Sequence, residues 1–111
     1  MTEPVFVYGI LKTPRAFRDP PDRARGTLYV ADGFAACIFG TDGWVRGEVR
    51  WVDAETLQRW DALEEIETGL YRRVRVRTGS GVMAWAYEYG RSVHGYPVVS
   101  DGVWLGRAPR R

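Results

Sequence analysis

Only one stretch of this 111-residue chain repeats its apolar residues with a helical period: DAETLQRWDALEE, residues 53–65, with Asp53 as a natural N-cap. Around it lie short β-branched and aromatic runs that end in Gly, Asp or Thr. They are PVFVYG (4–9), TLYVADG (27–33), FAACIFG (34–40), WVRGEVRWV (44–52), YRRVRVRT (71–78) and MAWAYEYG (83–90). Gly-Asp turns separate the runs between 27 and 52, and GSG joins the last two as a hairpin. The Pro- and Arg-rich segment 10–26 reads as an irregular surface loop, and the turn-rich tail from 95 holds one short apolar strand. A parallel βαβ design needs a crossover, usually a helix, for each pair of strands, and one helix cannot supply them. The pattern therefore predicts an α+β fold over 1–111 as a single domain. It is a small mixed or antiparallel β-barrel, closed or partly closed, of about six strands with one main helix packed against it.

Composition narrows the chemistry. Cys37 is the lone cysteine, set in the apolar run AACIF, so there is no disulfide framework and no cysteine-based zinc site. His94 is the sole histidine, and no Gly-x-Ser-x-Gly elbow accompanies it. The net charge of +2 gives no argument for nucleic acid. No apolar run approaches the ~20 residues that span a bilayer, and MTEPVFVYG lacks the pattern of a signal peptide. The chain is expected to be cytoplasmic. Lys12 is its only lysine. Arg73, Arg75 and Arg77 alternate with Val74 and Val76, which is the pattern of a solvated strand face or, more sharply, of a phosphate-binding stripe. The terminal RAPRR reads as a frayed tail.

The helix ends in a cluster of carboxylates, Asp61, Glu64, Glu65 and Glu67. At ~100° per residue from Leu57, Trp60 lies at roughly −60°, Leu63 at roughly −120° and Ala54 at roughly +60°, a stripe centred near −30°. Glu64 falls at roughly −20°, while Asp61 and Glu65 lie roughly 70° and 110° from the centre. Glu64 is thus the residue aimed at the core or at a cavity within it. A carboxylate in apolar surroundings has its pKa raised and becomes a proton acceptor suited to neutral pH. The plainer reading is a Glu that turns outward or pairs with Arg72 or Arg73. YGILK (8–12) leaves the first strand through Gly9, and its backbone amides are placed either to hold an anion or simply to end a strand.

Taken in order, several segments resemble the γ-glutamylcyclotransferase-like superfamily, especially its AIG2-like and γ-glutamylamine cyclotransferase branches. VFVYGILK is similar to that family's strand and "YGTL" loop, RGTLYVADG to its "GxLY" segment, and VRGEVRWV to its "VxGEV" strand. WDALEEIETGLYRRVRVRT resembles "LDxxEG…YxRxxVxV", AWAYEYG the strand after it, and VVSDGVWL the closing "SGDW" element. The resemblance implies that Glu64 is the catalytic acid/base and that the amides of Tyr8, Gly9, Ile10 and Leu11 cradle a glutamyl group. Tyr71 and Tyr87 would line the pocket. The implied reaction is intramolecular aminolysis of a small γ-glutamyl amine or peptide, releasing 5-oxoproline and an amine without a cofactor. Ile10 stands where the family has Thr or Ser, and Glu65 where it has Gly. Both departures favour a rival reading, a non-catalytic small-ligand-binding protein of the same fold. A third reading makes Arg73, Arg75, Arg77 and the Arg-rich tail a nucleic-acid or protein interaction surface. The leaving amine and the oligomeric state are not encoded in any of these motifs.

Overall fold

The computed structural model describes residues 1–106. Its elements are β1 (Thr2–Val7), β2 (Asp22–Ala31), β3 (Phe34–Asp53), α1 (Ala54–Leu63), β4 (Tyr71–Arg77) and β5 (Met83–Tyr89). The strands form one sheet in the order β2-β3-β1-β5-β4, antiparallel except where β1 meets β5. The sheet curls into a half-barrel with α1 as its one main helix, an α+β fold. The Gly79 N–H donates to Arg23 O at 2.7 Å, which brings the β4–β5 turn against the start of β2.

Five strands replace the six expected because two of them are one. FAACIFG and WVRGEVRWV form the single 20-residue β3. Residues 34–47 of β3 include the partners of β2, and 48–53 pair with β1. The GTDG segment, 40–43, bulges from the ladder where the register jumps from Gly26↔Phe39 to Arg25↔Trp44. Its turn chemistry makes a bulge rather than a chain reversal, because β2 runs on past it and pairs with β3 on both sides, at Phe39 and at Trp44. The loop expected over 10–26 is likewise shorter. It holds a 3-10 turn at Pro14–Ala16, and β2 already begins at Asp22. The tail forms an isolated bridge, Tyr29↔Val98, rather than a strand. RAPRR falls at 107–111, outside the described residues.

Local chemistry accounts for the joints. Asp32 (φ 52°) and Gly33 (φ 86°) make the β2–β3 hairpin, both in the left-handed region that a two-residue turn of this hand demands. At Gly47 a Cβ would lie 2.3 Å from Val7 O, so glycine is what lets β3 pack against β1. The Asp53 side chain accepts from Thr56 N at 2.8 Å and caps α1.

Two apolar clusters flank the central strand. Phe6 and Tyr8 join Leu28, Cys37, Val45 and Trp104, while Val5 and Val7 join Val52, Leu57, Tyr71 and Tyr87. Alternate side chains of β1 thus enter opposite clusters, which is why its sequence is nearly continuous in apolar residues. Cys37 is fully buried, and that burial pushes its thiol pKa up. Arg73 and Arg75 each stack on Trp85 at 4.4 Å, and Arg73 also pairs with Asp61 at 3.2 Å. Much of the basic stripe is therefore engaged within its own fold. Among the described residues, no helix is long and apolar enough to cross a membrane. Nor do any three His, Cys, Asp or Glu gather there in a group that would hold a metal ion.

Candidate active site

The loop that leaves β1 is held by three side chains. Lys12, only 5% exposed, donates from Nζ to Phe17 O (2.9 Å) and Trp104 O (2.8 Å). Arg50 donates to Leu11 O at 2.8 Å, and Glu48 accepts from the Thr13 backbone N–H and hydroxyl. The Lys12 N–H closes a turn onto Gly9 O at 3.1 Å. Among the described residues, the N–H groups of Gly9, Ile10 and Leu11 donate to no protein acceptor. The loop is rigidly held and keeps three amide donors uncommitted. Burial of the Lys12 ammonium lowers its pKa to about 8, against the opposing pull of Glu48.

These residues border a cavity of about 650 Å³, whose wall includes Tyr8, Gly9, Ile10, Leu11, Glu64, Tyr71 and Tyr87. All seven residues singled out from the sequence therefore meet in one place. Glu64 follows the last residue of α1, and its backbone N–H closes onto Trp60 O at 2.9 Å. Burial alone raises its carboxyl pKa from 4.5 to about 7. Among the described residues it has no ion-pair partner, because Arg72 pairs with Glu88 at 2.7 Å and Arg73 with Asp61.

Three tyrosines surround that carboxylate closely enough for its charge to raise the pKa of each. Desolvation is the larger cause in all three, so they are neutral hydroxyls. Each hydroxyl is committed to the fold: Tyr8 donates to Tyr87 O, Tyr71 to Ala35 O, and Tyr87 to Asp61 Oδ1 at 2.7 Å. They act as walls of the cavity.

Some features were not apparent in the helical pattern. Asp61, which lies roughly 70° from the stripe's centre, is half-buried and tethers α1 to β5 through Tyr87 and to β4 through Arg73. Leu63, expected in the apolar stripe, is 56% exposed at the cavity edge. The inward face of the helix is instead Leu57, Trp60, Asp61 and Glu64, spaced i, i+3, i+4, i+7. Glu65 takes the left-handed conformation, φ 54° and ψ 49°. That is the backbone geometry a glycine favours, and here a glutamate retains it. The Glu64 shift comes from desolvation rather than from the charge on Glu65. Trp104 also lines the cavity, and its buried indole N–H has no acceptor among the described residues.

A family model for γ-glutamyl cyclotransferase, AIG2-like, matches residues 5–106. The chain belongs to that family. A γ-glutamylcyclotransferase family protein, ytfP, from Citrobacter rodentium is 33% identical over 112 residues, covering 93% of this chain and 96% of that protein. The solution structure of ytfP from Escherichia coli superposes with a TM-score of 0.63 at 31% identity, over 92% of this chain and 96% of that one. YkqA from Bacillus subtilis shares the fold, with a TM-score of 0.71 at 21% identity. It is a longer protein, of which this chain matches 40% while itself being 94% covered. At Glu65 a left-handed backbone stands where the resemblance places a glycine. The turn needs a backbone conformation, and the side chain there is exposed.

Proposed function

We propose that this protein is an enzyme that converts a small γ-glutamyl amine or peptide into 5-oxoproline and a free amine. The observation that carries the reading is Glu64, a carboxyl group with a pKa of about 7 sharing a cavity with the amides of the 8–11 loop, in a chain of this family. The N–H groups of Gly9, Ile10 and Leu11 hold the glutamyl group so that its α-amine faces its own γ-carbonyl. The neutral α-amine attacks the γ-carbonyl carbon and closes a five-membered ring, and Glu64 takes one proton from that nitrogen as the bond forms. The bond to the leaving nitrogen then breaks as Glu64 returns the proton to it. Base and conjugate acid are comparably populated near neutral pH, so one group serves both steps. The proton balance closes without an external cofactor.

The test is 5-oxoproline release from a panel of γ-glutamyl amines and peptides. Turnover by the wild type, reduced about 100-fold or more in Glu64→Gln, supports the enzyme. A wild type inert to the whole panel, or a Gln variant of equal activity, overturns it. The rival, a binding protein without turnover, rests on Ile10, which supplies no hydroxyl at the loop. Ligand binding by an inert wild type would favour that rival.

A further inference from the structure

Three of the large apolar side chains that the fold leaves exposed lie at this one cavity: Ile10 at 64%, Phe34 at 65% and Leu63 at 56%. They arrive from three separate elements. Ile10 sits in the loop after β1, Phe34 opens β3 beside the Asp32–Gly33 hairpin tip, and Leu63 is the last residue of α1. Two of them adjoin the machinery in sequence, Ile10 between Gly9 and Leu11, and Leu63 immediately before Glu64. Exposed apolar side chains scattered singly are ordinary, but a convergent set around a concave site marks a surface that a ligand covers. The cavity, at about 650 Å³, is far larger than a five-carbon glutamyl group. Charged groups on the wall do not displace this feature, since Asp32 already accepts from the Tyr96 hydroxyl at 3.1 Å and Arg91 and Glu65 are solvent-exposed.

We infer that Ile10, Phe34 and Leu63 form the leaving-group subsite, and that the preferred substrate is a γ-glutamyl amide of an amine carrying a branched aliphatic or aromatic group. This rests on the proposed γ-glutamyl chemistry at Glu64. With the glutamyl end held at the loop amides and its γ-carbonyl beside Glu64, the leaving group extends past Leu63 toward the mouth. Its apolar surface there is shielded from water by the three side chains, and theirs by it. Ile10 in place of a hydroxyl residue belongs to the same surface.

The experiment compares γ-glutamyl isobutylamide and γ-glutamyl benzylamide with γ-glutamyl ethanolamide as the polar control. The expected result is a kcat/KM roughly tenfold or more higher for the two apolar amides. The ratio is expected to fall several-fold in Phe34→Ser and Leu63→Ser, exposed positions whose replacement opens no core. Equal kcat/KM values, or a preference for the ethanolamide, overturn the subsite while leaving the chemistry at Glu64 standing. If no amide turns over, the proposed reaction fails, and calorimetric Kd values for the same three compounds decide the subsite. Tighter binding of the apolar pair supports it, and equal binding overturns it. Should sedimentation show a dimer that Phe34→Ser dissociates with no change in the substrate ratio, the apolar rim is an interface between copies and the inference is wrong.

Discussion

Replacing Glu64 by Gln removes a charge that the folded chain holds at a disadvantage, and its stability should show it. The carboxyl pKa is 4.5 in the unfolded chain and about 7 when folded, because burial penalises the ionised form. Between those values the folded state binds more protons than the unfolded state, so unfolding free energy falls as pH rises. Below pH 4.5 both states are protonated and the group contributes nothing. Above pH 7 the full penalty is present, about 2–3 kcal/mol once the partial solvation of a half-buried residue is allowed for. Gln has nearly the same shape and no charge to desolvate. Urea unfolding of both proteins from pH 4 to pH 8.5 should give coincident stabilities at the acid end. The Gln variant should then become the more stable by about 2–3 kcal/mol at pH 8, or roughly 10 °C in Tm for a chain of this size. A protein of this kind trades stability for an ionisable group in a dry site. The reasoning is refuted if the two stability curves run parallel through pH 4.5–7, or if the Gln variant is the less stable at pH 8.

Two further variants probe how the site is held. Lys12→Met is expected to lower stability by about 2–3 kcal/mol in urea titrations, because it strands the Phe17 and Trp104 carbonyls that Nζ now satisfies. A change below ~0.5 kcal/mol would mean that the loop is held by Arg50 and Glu48 alone. At the left-handed Glu65, Glu65→Gly should leave thermal stability unchanged or raise it by up to about 1 kcal/mol, whereas Glu65→Val should lower it by roughly 1–2 kcal/mol. Equal stability of the Gly and Val variants would show that the backbone there relaxes.

Much of this site was legible in the chain because its signals are local. The helical period singled out Glu64, and Asp53 capped the helix as its side-chain chemistry dictates. The hairpins at Asp32-Gly33 and 79–81 followed from residues that tolerate positive φ. Where the reading went astray, the deciding quantity was a partner elsewhere. GTDG has the composition of a turn, yet whether it reverses the chain or bulges depends on which strand lies beside it, and β2 runs on past it to pair with β3 on both sides. Asp61 belongs by angle to the charged helix end, and only a tyrosine from β5 and an arginine from β4 bring it into the interior. Leu63 fits an apolar stripe, but α1 stops there and leaves it at a cavity edge.

The sequence by itself determined the element types, the single helix, the residue that this helix turns inward, and the family. The tertiary structure decided what that residue becomes. A raised pKa is the sum of what surrounds a carboxylate, and the walls around Glu64 come from the loop after β1, the β2–β3 hairpin, β4 and β5. Tyr8 and Tyr87, joined by one hydrogen bond in that wall, stand 79 positions apart in the chain. Desolvation depends on distance in space, which no local pattern contains.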